Sequence, residues 1–315
     1  MVNALTTARD ATSRRWRRAA LVLAVSLALG GCQTAASTSQ HASRQPVGAV
    51  QVAALPVLPA PSIGTELSLA PQGSALRRAP AAIVVDAATG TVLHEADADS
   101  LRYPASLTKM MTLYLLFDAL SEGRVGLDTP LSISAKAASQ PPARIGLKVG
   151  GRLTVSQAIQ ALAVKSANDV AVAVAETLAG SEDAFAAQMT AKARSLGMGN
   201  TRFVNASGLP DPRQVTTARD MATLSRALKS RHAGRASAFT ARSFTYEGTT
   251  HRATNNLLGR VAGVDGIKTG YIRDSGYNLA ASAHRGGRSV IAVVFGGESE
   301  GARDRQVADL IEQYL

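Results

Sequence analysis

The stretch that decides the fold is Asn278-Leu-Ala-Ala-Ser-Ala-His-Arg-Gly-Gly-Arg-Ser-Val-Ile-Ala-Val-Val-Phe295. Two largely apolar runs flank a polar turn that contains Gly286 and Gly287, which is the pattern of a β-hairpin. The same pattern recurs in residues 81–86 and 91–95, which flank Ala-Thr-Gly. The chain then closes on an apolar stripe at helical spacing, formed by Val307, Leu310, Ile311 and Tyr314. Two hairpins far apart in the chain predict one antiparallel sheet.

The middle of the chain predicts helices. Residues 105–120 are dense in Leu and Met, and residues 169–178 are apolar enough for a fully buried helix. Thr154 and Gln157 have the spacing of a capping box that opens another helix. Further candidate N-caps are Ser181 and Thr217. We therefore expect the α/β (α+β) fold class, with an antiparallel sheet flanked by helices and an inserted all-helical lobe.

We predict that residues 1–31 are a signal peptide, because four arginines at 14–18 precede an apolar segment that is too short to span a membrane. Cys32 follows Leu29-Gly-Gly31, which resembles a bacterial lipobox, so we expect lipidation of Cys32; the alternative is an ordinary signal peptide with an incidental cysteine. Residues 32–78 are rich in Ala, Ser, Pro and Gln, which predicts a flexible tether. Residues 79–315 are long enough for one domain with a sizeable core.

These features predict an exported protein of the periplasm or cell envelope, held to a membrane by an N-terminal lipid. Gln33, rather than Asp, follows the predicted lipid site, which favours the outer membrane if the host is Gram-negative. Because Cys32 is the single cysteine, no disulfide is expected.

The composition limits the partners and cofactors. The formal net charge of +11 is compatible with anionic headgroups or acidic cell-wall peptides, and equally with simple solubility. Lys and Arg are scattered and aromatic residues make up 4% of the chain, so we expect no nucleic acid partner. The five histidines show no ligand spacing, so we expect no metal and no cofactor.

Ser106-Leu-Thr-Lys109 is the first of three motifs that carry chemistry. Ser106 and Lys109 lie three residues apart at a predicted helix start, so their side chains share one face. A neutral lysine can take the proton of a serine hydroxyl and so activate it as a nucleophile. Burial and a second cation would lower the pKa of Lys109, and Lys268 is the candidate for that cation.

Ser166-Ala-Asn168 and Lys268-Thr-Gly270 are the second and third motifs. Ser166 can relay a proton to a leaving amine, and the Asn168 amide can bind a substrate carbonyl. Lys268 and Thr269 lie in a strand-like context, where a strand edge can pair with an extended peptide. Their ammonium and hydroxyl groups suit a substrate carboxylate, and Gly270 would leave room for its close approach.

Each motif alone is weak, because Ser-x-x-Lys is common on surface helices and a Ser or Asn at a helix start is usually a cap. Each nevertheless occurs once, and the three follow the order that defines class A β-lactamases and penicillin-binding proteins. The set therefore predicts serine acyl transfer.

The chain resembles the low-molecular-mass penicillin-binding proteins, the serine-type D-alanyl-D-alanine carboxypeptidases, over essentially all of residues 79–315. The similar segments are Tyr103-Pro-Ala-Ser106, Ser166-Ala-Asn-Asp-Val170, Phe203-Val-Asn-Ala-Ser-Gly-Leu209, Thr217-Ala-Arg-Asp-Met-Ala222 and Gly263-Val-Asp-Gly-Ile-Lys-Thr-Gly270. The resemblance implies a DD-peptidase/β-lactamase-like fold. It also implies that Ser106 forms an acyl-enzyme with the penultimate D-Ala of a peptidoglycan stem peptide, releasing the terminal D-Ala, and that β-lactam antibiotics acylate the same serine.

The resemblance also assigns roles to the other motif residues. It implies Lys109 as the base, Ser166 as the proton relay and Asn168 as a ligand of the substrate amide. It makes Lys268 and Thr269 the carboxylate binders, beside Gly270. The oxyanion hole would be the backbone N–H groups of Ser106 and Tyr271, each such donor typically worth roughly 3–4 kcal/mol.

Three other functions remain as alternatives. A DD-endopeptidase would cleave peptidoglycan cross-links with the same chemistry, and relatives without a C-terminal β-domain include such enzymes. A β-lactamase is disfavoured because class A enzymes use a glutamate on a loop between the second and third motifs. Here Glu182 starts a predicted helix soon after the second motif, Glu247 lies near the third, and no glutamate lies between them. A non-catalytic wall-binding lipoprotein is disfavoured by the intact motifs. Relatives can carry a basic residue shortly before the third motif. The matching stretch here is residues 251–258, but its register against the family pattern is not fixed, so we do not assign this role to Arg252.

Overall fold

The computed structural model describes residues 79–315. The predicted signal peptide, Cys32 and the tether lie outside the described residues. The strands are β1 (Ala81–Asp86), β2 (Val92–Ala96), β3 (Pro130–Ser132), β4 (Arg152–Thr154), β5 (Ser243–Tyr246), β6 (Thr249–Arg252), β7 (Val264–Ile272), β8 (Gly276–Arg285) and β9 (Arg288–Gly297). The α-helices are α1 (Lys109–Ser121), α2 (Ala135–Ala138), α3 (Val155–Gln160), α4 (Asn168–Ala179), α5 (Glu182–Ser195), α6 (Ala218–Arg231) and α7 (Glu300–Tyr314).

The main sheet has five antiparallel strands in the order β2-β1-β9-β8-β7. Both predicted hairpins are confirmed, and β1 pairs with β9, so the two hairpins join into one sheet. The β8–β9 turn is Gly286-Gly287, both with positive φ, as a tight hairpin with the usual twist requires. Strand β7, which carries the third motif, lies at the edge of the sheet.

The sheet is the middle of three layers. Alternate residues of a strand face opposite sides. Ala82 and Val84 pack with Val307 and Ile311 of α7, whereas Ile83 belongs to the larger core shared with the helical lobe. The predicted apolar stripe of α7 thus covers one face of the sheet. The fold class predicted from the sequence is confirmed. The inserted lobe, predicted to be all-helical, also contains the short two-stranded sheet β3–β4 between α1 and α3.

Helices α1 and α4 run through the interior of the lobe. All residues of α1 from Lys109 to Phe117 are buried, and so are those of α4 from Asn168 to Ala175. A helix that is apolar all round can be accommodated only in such a setting. Both helices begin at a sequence motif, so the deepest elements of the lobe also hold candidate site residues.

Two predicted helices differ in their boundaries. The helix predicted from residue 105 begins as a 3₁₀ turn, Ala105–Thr108, before α1. The predicted Thr154 capping box is confirmed, but α3 passes into a π-helical turn, Ala161–Lys165. A π turn accommodates an extra residue and is often found beside functional sites. It ends at Ser166, which is part of the second motif.

Among residues 79–315, no helix combines the length and the apolar character that crossing a membrane requires.

Candidate active site

Ser106 lies in the 3₁₀ turn before α1, held between two glycines of other segments. The preceding residue, Ala105, has φ +47°, a strained conformation for a non-glycine residue. A Cβ on Gly208 would lie 1.9 Å from the Ala105 carbonyl oxygen, and one on Gly270 would lie 3.2 Å from the Ser106 nitrogen. The missing side chain of Gly270 thus makes room for the turn that carries Ser106, and its expected role in the approach of a substrate carboxylate stays a prediction.

Lys109 is buried and makes three hydrogen bonds with its Nζ atom. It donates to Ser106 Oγ at 3.1 Å, to Asn168 Oδ1 at 2.7 Å and to the Ser207 carbonyl oxygen at 2.5 Å. An ammonium group has three hydrogens, whereas a neutral amine has two and a lone pair. If the two shorter bonds keep their hydrogens, the lone pair of the neutral amine points at Ser106 Oγ.

The surroundings of Lys109 favour that neutral form. Burial and the charge of Lys268 hold the pKa of Lys109 well below its usual 10.5, and the nearby Asp169 carboxylate opposes them. Burial, together with Arg303, lowers the pKa of Lys268 to about 7. The charge of Lys268 therefore contributes to keeping Lys109 neutral.

Ser166 and Asn168 flank the break between the π turn and α4. Ser166 has left-handed backbone angles, φ +63° and ψ +38°. Its Oγ is buried and has no hydrogen-bond partner among residues 79–315. Asn168 bridges Lys109 and the Pro141 carbonyl, to which its Nδ2 donates at 2.9 Å. The hydroxyl of Ser166 is thus available to a substrate, while Asn168 ties the base to the wall of the cleft.

A cavity of about 380 Å³ brings the three motifs together. The predicted site residues that line it are Ser106, Ser166, Asn168, Thr269, Gly270 and Tyr271. Lys109 is hydrogen-bonded to two of these lining residues, Ser106 and Asn168. Lys268 is buried behind the wall, where its Nζ donates to the Thr269 carbonyl at 3.0 Å.

Thr254 and Arg303 complete the wall beside Thr269, and the sequence did not identify either. Thr269 Oγ1 donates to Thr254 Oγ1 at 2.7 Å, and both residues line the cavity. Thr254, rather than the exposed Arg252, is therefore the residue of the 251–258 stretch that lies in the cleft. Arg303 also lines the cavity although it is only 2% exposed.

The guanidinium of Arg303 is fixed from two sides. It donates to Asp304 Oδ1 from Nε at 2.9 Å and from Nη2 at 2.6 Å, and to the Asn278 carbonyl from Nη1 at 3.2 Å. Arg303 precedes Val307 by four residues, so it lies on the apolar stripe of α7. A charged residue on a buried stripe is the sequence signal that could have indicated it.

A turn at residues 205–209 presents the Ser207 carbonyl to Lys109. Asn205 Oδ1 accepts the Gly208 N–H at 2.7 Å and the Ser207 N–H at 3.3 Å, and Asn205 Nδ2 donates to the Leu209 carbonyl at 3.1 Å. The positive φ of Gly208, +85°, allows this tight turn. The Phe203–Leu209 segment, noted in the sequence without a role, therefore orients the base.

Asp169 holds the opposite wall of the cleft. Its buried carboxylate accepts the N–H groups of Ile145 at 3.1 Å, Gly146 at 2.9 Å and Leu147 at 3.1 Å. The loop that contains these groups also supplies Pro142 and Ala143 to the cavity. An acidic residue at the start of a helix predicted to be buried was the signal for this role, and the sequence analysis missed it.

Comparison with known proteins identifies the relatives of this chain. The family model described as D-alanyl-D-alanine carboxypeptidase matches residues 70–299. The chain is 35% identical over 238 residues to the D-alanyl-D-alanine carboxypeptidase DacF of Bacillus subtilis, covering 74% of this chain and 61% of the relative. It is 38% identical over 236 residues to DacA of Escherichia coli, covering 73% and 59%. The chain thus spans about three fifths of the length of these curated relatives.

Solved structures of penicillin-binding proteins are also similar to this chain. Penicillin binding protein 5 from Haemophilus influenzae has a TM-score of 0.73 and 30% identity, covering 75% of this chain and 70% of that one. Penicillin-Binding Protein D2 from Listeria monocytogenes, in its cefotaxime-bound form, has a TM-score of 0.68 and 31% identity, covering 75% and 96%.

Proposed function

The chain belongs to the D-alanyl-D-alanine carboxypeptidase family, and we propose that it is itself a penicillin-sensitive serine DD-carboxypeptidase that removes the terminal D-Ala from peptidoglycan stem peptides. The observation that carries this proposal is the contact between Lys109 Nζ and Ser106 Oγ at 3.1 Å, with the two other Nζ positions already bonded. A base so oriented needs no rearrangement to accept the serine proton.

In the acylation step, Ser106 Oγ attacks the carbonyl carbon of the penultimate D-Ala, and its proton passes to Lys109. The negative charge on the carbonyl oxygen is stabilised by the backbone N–H groups of Ser106 and Tyr271. As the C–N bond breaks, Lys109 returns the proton to the leaving amine through Ser166 Oγ. The products are the acyl-enzyme and free D-Ala.

In the deacylation step, water attacks the ester carbonyl and gives its proton to Lys109, which returns a proton to Ser106 Oγ. Glu300 is the one acidic residue among the cavity-lining residues within 79–315, at the end that also holds Arg303. Glu182 is occupied elsewhere, since it accepts the Ala206 N–H and pairs with Lys136. This distribution supports Lys109 as the base for water and disfavours a β-lactamase of class A type.

The terminal carboxylate of the substrate would be bound by Thr269, Thr254 and the buried cations Lys268 and Arg303. A charge-assisted hydrogen bond to such a group is stronger than a neutral one. Lys268 and Arg303 are both buried at the same wall of the cavity, and their positive charges support recognition of a free carboxyl terminus.

Labelling with a fluorescent penicillin tests the acylation directly. We expect the purified domain to be labelled, the label to be lost in Ser106→Ala, and labelling to persist in Ser230→Ala, a matched change of an exposed serine on α6. An unlabelled but folded wild-type protein would refute the enzymatic function. Release of D-Ala from a pentapeptide, compared with cleavage of a cross-linked dimer, separates the carboxypeptidase from the endopeptidase alternative.

The cellular location belongs to the same proposal. Residues 1–31 would be removed on export, Cys32 would be lipidated, and residues 32–78 would let the domain reach peptidoglycan from a membrane of the cell envelope. Cys32→Ser should leave the precursor uncleaved at that position and release the protein from membranes. Normal processing of that variant would contradict the lipid anchor.

A further inference from the structure

An aromatic pair stands at one end of the cavity, and the proposed reaction does not use its rings. Tyr271 and Tyr277 are cross-strand neighbours on β7 and β8, with ring centroids 4.4 Å apart and an interplanar angle of 35°. Both line the cavity, and Tyr271 is 48% exposed. Two tilted aromatic rings in contact and open to a binding cavity can cover the apolar part of a ligand.

The pair adjoins the group proposed to bind the substrate carboxylate. Tyr277 precedes Asn278, whose carbonyl accepts Arg303 Nη1, and it pairs with Gly297 on β9. A Cβ on Gly297 would lie 2.8 Å from the Cβ of Arg303, so the two segments are in direct contact. The tyrosines therefore flank the position of the leaving residue, whose carboxylate would meet Arg303.

Glu300 lines the same end of the cavity and is exposed. Its Oε1 accepts Asn256 Nδ2 at 2.7 Å and lies 3.7 Å from Arg303 Nη2, while Asp304 pairs closely with Arg303. Once a substrate carboxylate binds, it joins the carboxylates of Glu300 and Asp304. These three anions then face two cations, Arg303 and Lys268. An additional positive charge on the ligand would restore the balance.

We propose that Tyr271, Tyr277 and Glu300 form a side-chain subsite for the leaving residue, and that this subsite accepts a D-amino acid whose aliphatic side chain ends in an amine. The methylene groups would cross the tyrosine rings, and the ammonium would reach Glu300. The inference rests on the proposed function. The bond that breaks is unchanged, and the α-amine of the leaving residue still takes the proton.

Synthetic peptides that differ in the last residue test this subsite. The series is diacetyl-L-Lys-D-Ala followed by D-Ala, D-norleucine, D-Lys or D-Glu, with kcat/KM measured from release of the final amino acid. We expect the D-Lys peptide to be cleaved faster than the D-norleucine peptide and the D-Glu peptide to be the poorest. Cleavage of the D-Ala peptide without detectable cleavage of the D-norleucine and D-Lys peptides would overturn the subsite.

Two variants separate the apolar and the charged parts. Glu300→Gln should lower the D-Lys to D-norleucine ratio of kcat/KM by about two- to fivefold, as expected for a partly exposed charge pair. Tyr271→Ala should lower the D-norleucine to D-Ala ratio by about tenfold through lost apolar contact. The matched control is Glu298→Gln. Glu298 is an exposed acid two residues before Glu300 and is not among the described residues that line this cavity, so both ratios should stay unchanged.

The outcomes distinguish this inference from the proposed function. If penicillin labels Ser106 and D-Ala is released, but Glu300→Gln does not change the D-Lys to D-norleucine ratio, the subsite is wrong and the carboxypeptidase function stands. If the folded wild-type protein neither takes up penicillin nor releases D-Ala, both are overturned.

Discussion

Replacement of Asp169 by Asn tests whether one buried carboxylate both holds the cleft wall and adjusts the charge of the base. Asp169 Oδ2 accepts the N–H groups of Ile145, Gly146 and Leu147, and Oδ1 accepts the Val170 N–H at 3.0 Å. Asn has a similar shape but keeps only one of the two oxygens and has an NH₂ group in place of the other. At least one backbone N–H would therefore lose its acceptor, and the remaining hydrogen bonds would be made to a neutral oxygen instead of a carboxylate.

The size of the effect follows from those contacts. Leaving a buried donor unsatisfied costs about 1–3 kcal/mol, and a bond to a charged group contributes more than one to a neutral group. Applied to Asp169→Asn, a loss of about 2–6 kcal/mol in the free energy of unfolding is expected. At about 2–4 °C per kcal/mol for a domain of this size, the fall in Tm is roughly 4–24 °C. Because the negative charge of Asp169 raises the pKa of Lys109, its removal should lower that pKa further.

Two measurements check these expectations. Calorimetry gives Tm, and the rate of penicillin acylation against pH gives the acid limb, which should move to lower pH because more Lys109 is neutral there. Asp128→Asn, an exposed change in a loop, is the matched control. If Asp169→Asn has the same Tm and the same acid limb as Asp128→Asn, the assignment of Asp169 is wrong. A lower Tm with an unmoved limb would limit its role to holding the loop.

Three further changes have defined outcomes. Gly208→Ala should abolish penicillin acylation, because its Cβ would lie 1.9 Å from the Ala105 carbonyl; retained labelling would contradict the tight packing at that turn. In the wild type, kcat/KM should fall above about pH 7, because Lys268 loses the proton that helps to bind the substrate carboxylate. In Lys268→Arg the side chain stays charged, so this fall on the basic side of the pH profile should disappear. An unchanged fall in that variant would exclude Lys268 as its source. Thr154→Ala should lower the free energy of unfolding by about 1 kcal/mol through loss of the capping box, and a urea titration that shows no change would count against that contribution.

Much of the fold was predictable because the signals are local. The hairpin at Gly286-Gly287, the Thr154 capping box and the apolar stripe of α7 depend on residues within one or two turns of each other. The π turn before Ser166 was not predictable, because its hydrogen-bond pattern depends on packing in the lobe rather than on a sequence signature. The same limit applies to the 3₁₀ turn at Ser106, whose strained Ala105 is held by Gly208 and Gly270 from distant segments.

The residues of the candidate site likewise fall into those that the sequence predicted and those that only the structure identified. The three motifs indicated the nucleophile, the lysines and the relay because each is a short pattern with its own chemistry. Arg303, Thr254 and Asp169 were missed, since a residue joins a site through contacts that its sequence neighbours do not encode.

The amino-acid sequence by itself determined the elements and the type of chemistry, because helix caps, alternation and motif spacing act over a few residues. The tertiary structure alone decided which way the Lys109 amine points and which groups surround it. That orientation depends on Asn168 and the Ser207 carbonyl, which lie far from Lys109 along the chain and reach it only through folding.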